Sequence, residues 1–325
     1  MDGILSLASA NLLSPVVLFF ALGIMAALAR SDLTFPEAVA KGLALYLMLA
    51  IGFKGGVAVN EAGLSLQVIS VALTGMAIGF VLPVIAYLAL RRTSRLDSAT
   101  AAAVAAHYGS ISVVTFVAGT ELLRLGGIAF DGHMVAVMAL METPAIMAGL
   151  WLASRDPSAK AQKASGDLLR EVFLNGSVVL LMGAFAIGWI TGEKGMTAIK
   201  PFIDDPFRGV LCLFMLDMGL IAGTRLRSAT KLTWPLAAFA VYMPLIGATA
   251  GLAGGYAIGL PVGNLALLAI LCASASYIAV PAAMRLALPQ ADPAVYLTLS
   301  LALTFPFNLT LGLPLYLWAA QSLTG

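Results

Sequence analysis

The sequence predicts an all-α polytopic membrane protein, with about ten transmembrane helices arranged as a 5+5 inverted repeat that contains two broken, crossing helices. Three observations predict it. The 325 residues are 61% hydrophobic and only 10% charged, with a mean hydropathy of +0.98; soluble domains run at roughly 45–50% apolar and about 25% charged. Apolar runs of spanning length, roughly 20 residues, recur along the chain. Four stretches of the first half are echoed, in the same order, in the second.

The spanning segments fall at 11–29, 38–59, 67–90, 98–119, 134–154, 175–192, 207–224, 234–258, 263–286 and 294–320. The polar stretch SRDPSAKAQKASGDLLRE (154–171) is the longest charged connector. It divides the chain into a first repeat (1–154), a cytoplasmic connector (155–174) and a second repeat (175–325). The N-terminal MDGILSLASANLL lacks a positive leader and a cleavage site, so it reads as mature sequence. With the N-terminus outside, Arg30, Lys41, Arg91, Arg92, Arg95, Arg155, Lys160, Lys163, Arg170, Arg225, Arg227, Lys231 and Arg285 gather on the cytoplasmic side. Lys54, Arg124, Lys194, Lys200 and Arg208 fall on the other. This bias places both termini outside the cytoplasm. A net charge of +2 without a dense basic cluster argues against a nucleic-acid partner. Cys212 and Cys272 lie in apolar runs and read as small packing residues rather than a disulfide or metal pair.

The echoes are short. LFFALGIMAALAR (18–30) matches MGAFAIGWITGEK (182–194), and LMLAIGFKGG (47–56) matches LFMLDMGLIAG (213–223). AHYGSIS pairs with CASASYI, setting Gly109 on Ala275 and Ser110 on Ser276. METPA pairs with LTFPF, setting Pro144 on Pro306. An odd number of spans per half turns the second half upside down, and inverted repeats are a signature of secondary transporters.

Ser110 lies about 12 residues into the fourth segment, roughly 18 Å deep at 1.5 Å per residue and near mid-bilayer. Ser276 lies equally deep in the ninth, entering from the opposite face. Gly109 is expected to loosen the first helix there, and Pro281 to free the carbonyl of Tyr277 in the second. Two helix N-termini converging at one depth suit a small anion. The alternative is that these small residues only allow close helix packing. In the fifth and tenth segments Glu142, Thr304 and Asn308 offer oxygens of the kind Na⁺ takes. Pro144 and Pro306 are expected to free the carbonyls of Leu140 and Ala302. For Glu142 the alternative is a neutral, hydrogen-bonded carboxyl. Asp217 and Lys54 are candidates for an ion pair across the bundle. His107 reads as a hydrogen-bonded structural residue and His133 as interfacial. The spaced glycines at 75–79 and 251–255 read as helix contacts, and Trp151, Trp189 and Trp318 as interfacial anchors near helix ends.

HYGSISVVTFVAGT, METPAI, GVLCLFMLDMGLIAG, ASASYIAVPAAMRLALP and LALTFPFNLTLGLP together resemble the SbtA-type sodium-dependent bicarbonate transporter family. The resemblance implies a 5+5 inverted repeat with core and gate domains, a homotrimer, and elevator-like carriage of bicarbonate with Na⁺ as coupling ion and no cofactor. Its substrate positions map to Gly109, Ser110, Ser112, Ser274, Ala275 and Ser276. Its sodium positions map to Ser112, Thr115, Glu142, Thr304 and Asn308. The family is also linked to a PII-like regulatory partner; the central connector here is shorter than in the best-known members, which weighs against that partner. Alternative readings are a carrier of another small anion or carboxylate, similar to the bile-acid symporters, and an anion channel. An intramembrane enzyme is the least supported, since the chain has no HExxH, no GxSxG and no paired intramembrane aspartates of protease type.

Overall fold

The structure is a computed structural model that describes residues 9, 11–63, 66–154, 176–229, 232–277, 280, 281, 284 and 288–324. The expected connector 155–174 lies outside the described residues, as do Lys231 and Arg285. All ten expected segments contain helix, and the described residues form no strand. The helices are α1 (Pro15–Leu28), α2 (Glu37–Ala62), α3 (Leu66–Thr93), α4 (Ser98–Gly109), α5 (Val113–Leu125) and α6 (Met134–Ser154). After the connector come α7 (Gly176–Ile203), α8 (Phe207–Arg227), α9 (Trp234–Ala257), α10 (Val262–Ala273) and α11 (Pro293–Thr324). With α4 and α5 taken together, 7 candidate spans are long and apolar enough to cross a membrane; α1 and α10 are shorter apolar helices. The chain is thus a multi-pass membrane protein.

Local chemistry sets the helix ends. Ser14 caps α1, its hydroxyl accepting from the Val17 amide, with Pro15 at the first helical position. Asp97 caps α4 by accepting from the Thr100 amide at 2.8 Å. Arg225 and Arg227 occupy the last turn of α8, where the helix dipole favours cations. Helix α7 is divided at Gly192, whose φ of +56° is a conformation that side chains with a Cβ avoid. Its first piece therefore ends where the apolar pattern predicts, and Trp189 sits just before that end. There Asn60 Nδ2 donates to the Trp189 carbonyl at 2.8 Å.

Two close helix pairs form one side of the molecule: α1 packs along α8, and α2 along α7. Their axes approach through glycines. A Cβ on Gly219 would fall on the carbonyl oxygen of Phe20, and one on Gly188 on the carbonyl oxygen of Phe53. The other side groups α3 with α4 and α6, and α9 with α10 and α11. Every residue of the alanine-rich α4 is buried, as are Gly263 to Ala273 of α10. A helix apolar on all faces belongs inside a bundle, and these two occupy its centre.

Some sequence expectations are corrected. Lys54 pairs with Asp204, in the turn between α7 and α8, and lies over the Phe207 ring; it does not pair with Asp217. A carboxylate in a turn can swing to meet the ammonium, whereas Asp217 is held on α8, buried, with Oδ2 unpartnered among the described residues. The hydrogen bond from Lys54 holds the Asp204 carboxyl below its ordinary range. Helix α6 continues through Pro144, whose missing amide leaves the Leu140 carbonyl without its usual helical donor. Pro306 lies between two π-helical stretches, Thr298–Thr304 and Asn308–Gly312, so α11 absorbs the missing amide by widening its turns rather than opening. His133 is buried in the protein, in the turn that precedes α6. Cys212 and Cys272 are free thiols, as expected.

Glycine spacing on α8 gives an internal comparison. Gly219→Ala is expected to lower stability by about 1–3 kcal/mol through overpacking against α1. Gly209→Ala, with nothing within 4 Å of its Cβ position, should be neutral or stabilising by up to about 1 kcal/mol. Thermal unfolding in one detergent checks the pair, and equal effects would rule out the glycine-mediated α1–α8 approach.

Candidate functional site

The fourth and ninth segments are both broken, and in the same way. Helix α4 ends after 12 residues at Gly109, and α10 ends after 12 residues at Ala273. The next residue leaves each helix in nearly the same extended conformation: φ −87°, ψ 167° at Ser110 and φ −83°, ψ 163° at Ser274. The helix ends therefore align Gly109 with Ala273, Ser110 with Ser274 and Ser112 with Ser276. This is two residues away from the expected register of Gly109 on Ala275.

Past the first break Ser112 caps α5, accepting from the Thr115 amide at 3.2 Å. Past the second, the Ser276 hydroxyl accepts from the Val280 amide at 3.5 Å. Pro281 is not the cause of the break: Ser274 to Ser276 are already non-helical, and Pro281 is itself helical. It sits early in the resumed helix, where a missing amide is tolerated. Gly109 keeps ordinary helical geometry; what it supplies is room, since a Cβ there would collide with the Pro83 ring and approach the Gly79 carbonyl at 2.8 Å.

The two breaks are bonded to each other. The Ser276 amide donates to the His107 carbonyl at 2.9 Å, and the Ser112 amide donates to Ser274 Oγ at 2.8 Å. Ser274 Oγ in turn donates to the Leu271 carbonyl at 2.8 Å. Helix α11 closes the remainder. Asn308 Nδ2 donates to the Ala273 carbonyl at 2.8 Å while its Oδ1 accepts from Tyr316. Thr304 Oγ1 donates to the Ala240 carbonyl at 2.7 Å, so the 2.6 Å contact with Tyr108 has the phenol donating.

The residues expected from sequence are thus partly brought together. Gly109, Ser110, Ser112, Ser274, Ala275 and Ser276 form the crossing itself. Thr115 is bonded to it through Ser112, while Thr304 and Asn308 are bonded to its neighbours, Tyr108 beside Gly109 and Ala273 beside Ser274. Glu142 is buried on α6, next to Met141, whose carbonyl shares the Gly79 position with that of Gly109, at 3.2 and 3.4 Å. Among the described residues no hydrogen bond joins Glu142 to the crossing.

Three buried polar atoms beside the breaks have no protein partner among the described residues: Ser110 Oγ, Tyr277 OH and His107 Nε2. The Tyr277 hydroxyl approaches the Ser112 side chain without reaching hydrogen-bond geometry. His107 is structural on its other nitrogen, with Nδ1 2.6 Å from the Ala103 carbonyl and the ring stacked on Tyr296. A carbonyl can only accept, so Nδ1 carries the proton and Nε2 of the neutral ring is an acceptor. The phenols of Tyr108, Tyr277 and Tyr316 escaped the sequence reading, which named Tyr277 only for its carbonyl, although two of the three flank the breaks directly. One face of α5, Phe116, Thr120 and Arg124, lines a cavity of about 370 Å³ shared with Lys54 and Phe207. Its inner end, Phe116, lies one turn beyond Ser112.

Two discontinuous helices crossing inside an all-helical multi-pass bundle, with hydroxyls unpartnered at the crossing, define a membrane protein of the transporter kind. The chain belongs to the Na⁺-dependent bicarbonate transporter superfamily, whose family model matches residues 15–321. No curated protein matches the chain.

The two serines of the first break separate by role. Ser112→Ala removes the α5 cap and should lower stability by about 1 kcal/mol. Ser110→Ala removes an unpartnered buried hydroxyl and should leave stability unchanged or raise it. Thermal unfolding of both variants checks this, and an equal loss in both would assign Ser110 to scaffolding.

Proposed function

We propose that the protein takes up bicarbonate by coupling it to inward Na⁺ movement, with Gly109, Ser110, Ser112, Ser274, Ala275 and Ser276 holding the anion. Thr115, Glu142, Thr304, Asn308 and Ser112 supply oxygens for Na⁺. The observation that carries this reading is the crossing: two breaks bonded to one another, with Ser110 Oγ and Tyr277 OH left to donate to a third party. A buried donor without a partner costs roughly 1–3 kcal/mol, which a bound oxyanion would recover. Membership of the superfamily supplies the ions by name. A transporter family also fits a chain that is not an enzyme.

A 5+5 inverted repeat is supported by equivalences beyond the breaks. The Asp292 amide, just before α11, donates to Thr100 in the first turn of α4. The Asp131 amide, just before α6, donates to Asn264 in the first turn of α10, and Asn264 donates back to the Asp131 carboxylate. The α1–α8 and α2–α7 pairs exchange helices between halves in the same symmetric manner. These four helices make the gate of our reading, and α3–α6 with α9–α11 make a core that moves past it in an elevator-like cycle. A small carboxylate in place of bicarbonate is the second reading, since hydroxyls and helix ends recognise an oxyanion rather than one molecule.

Radiolabelled bicarbonate uptake into proteoliposomes is expected to saturate and to require an inward Na⁺ gradient. Gradient-independent, non-saturating flux would assign a channel instead. Ser110→Ala and Ser276→Ala should each slow uptake by about tenfold, the loss of one hydrogen bond to a charged ligand. Glu142→Gln should raise the Na⁺ concentration for half-maximal uptake; an unchanged sodium dependence would remove Glu142 from the ion site.

A further inference from the structure

A second polar cavity, of about 590 Å³, opens where α1 and α8 end, away from the crossing. Arg30, Arg225 and Arg227 line it, with Thr224 and Ser228 beside them and Asp217 as its only acidic lining residue among the described residues. Three guanidiniums against one carboxylate leave the lining with a net positive charge.

The backbone at Arg30 is unusual. Helix α1 closes with paired bonds, from Ser31 N to the Ala26 carbonyl at 2.9 Å and from Arg30 N to the Ala27 carbonyl at 3.2 Å. That motif places a left-handed residue at the position Arg30 occupies, and glycine is the residue that fits it. Arg30 adopts φ +60°, the one positive φ at a non-glycine residue among the described residues. An arginine thus stands in a glycine position, with its side chain among those that line the cavity. Arg227 is fixed at the same place, Nη1 donating to the Ala27 carbonyl at 2.9 Å. No ion pair engages Arg30 or Arg225 among the described residues. Apolar side chains share the lining with the arginines, Leu33, Phe35, Leu220 and Ile221 among them. A pocket that is basic and apolar at once matches the two parts of a lipid.

We infer that this cavity binds the headgroup phosphate of an anionic phospholipid, held by Arg30, Arg225 and Arg227, with the apolar part of the lipid against Leu220 and Ile221. The membrane face on which these arginines gather is the one the basic-residue bias assigns to the cytoplasm, where anionic lipid is attracted to such clusters. Asp217 on the lining sets the orientation by repelling the phosphate toward the arginines at the mouth.

The test uses the purified full chain in neutral detergent, unfolded thermally with added phosphatidylglycerol, phosphatidylcholine or inorganic phosphate. Phosphatidylglycerol is expected to raise the melting temperature above the other two. Arg225→Gln should weaken its apparent affinity about fivefold, near 1 kcal/mol for one cation. Arg30→Gly should weaken it similarly while melting, without lipid, at or above the wild type, because the strained residue has been relieved. Arg30→Lys, which keeps the charge, should retain most of the effect. Equal shifts from the two phospholipids, or an equal shift from inorganic phosphate, would overturn the inference. So would an Arg30→Gly protein that is less stable without lipid and still responds to phosphatidylglycerol. None of these readouts depends on transport, so they stand apart from the bicarbonate assay.

Discussion

Backbone amides and carbonyls in the middle of a bilayer have no water to turn to, and a helix that breaks there strands several of each. The molecule meets this constraint by breaking two helices at one place and letting each close the other. The Ser276 amide is taken by the His107 carbonyl, the Ser112 amide by Ser274 Oγ, and the Ala273 carbonyl by Asn308. Either break alone would leave these groups exposed to hydrocarbon. The crossing, the position of α11 and the burial of α4 and α10 are consequences of that mutual satisfaction.

Close approach then becomes a packing problem, solved with small residues. Half of helix α4 is alanine, so α3 and α6 can press on it from two sides. Pro83 of α3 nests against Gly109 at the end of α4, and Ala106 lies against Gly149 of α6. The aromatic rings are kept for the far side of the crossing, where Tyr108 meets Phe239 and Tyr277 meets Phe305. Bulk there walls in the hydroxyls without entering the crossing, so their orientation is fixed by packing as well as by hydrogen bonds.

The legible part of the fold was the part written in local composition. Apolar runs gave the helices, and Ser110, Ser112, Ser274 and Ser276 stood out because hydroxyls are rare in such runs. The register between the breaks was not legible. Two serines spaced by two residues occur in both stretches, and letter matching slid one onto the wrong copy; only helix ends and backbone angles fix the alignment. Pro281 misled for a related reason, since proline marks a helix boundary without saying which side of it the break lies. The Lys54–Asp204 pair and the Asn264–Asp131 and Thr100–Asp292 ties join residues 133 to 192 positions apart in the chain. Such pairings arise from the fold's topology, and local spacing carries no trace of them.

The chemistry of the crossing bears on coupling. Among the described residues its unpartnered groups are two hydroxyls and an imidazole nitrogen, neutral donors and an acceptor rather than fixed cations. Neutral dipoles orient an oxyanion but offset only part of the cost of its charge in a low-dielectric interior. In the cycle we propose, the remainder must come from a mobile cation, and Na⁺ beside the anion gives a pair of no net charge. Anion without cation is then too costly to move, and the cation alone lacks its counter-charge. Obligatory coupling follows from what the site leaves out: a lysine or arginine at the crossing would hold the anion unaided and remove the requirement for Na⁺.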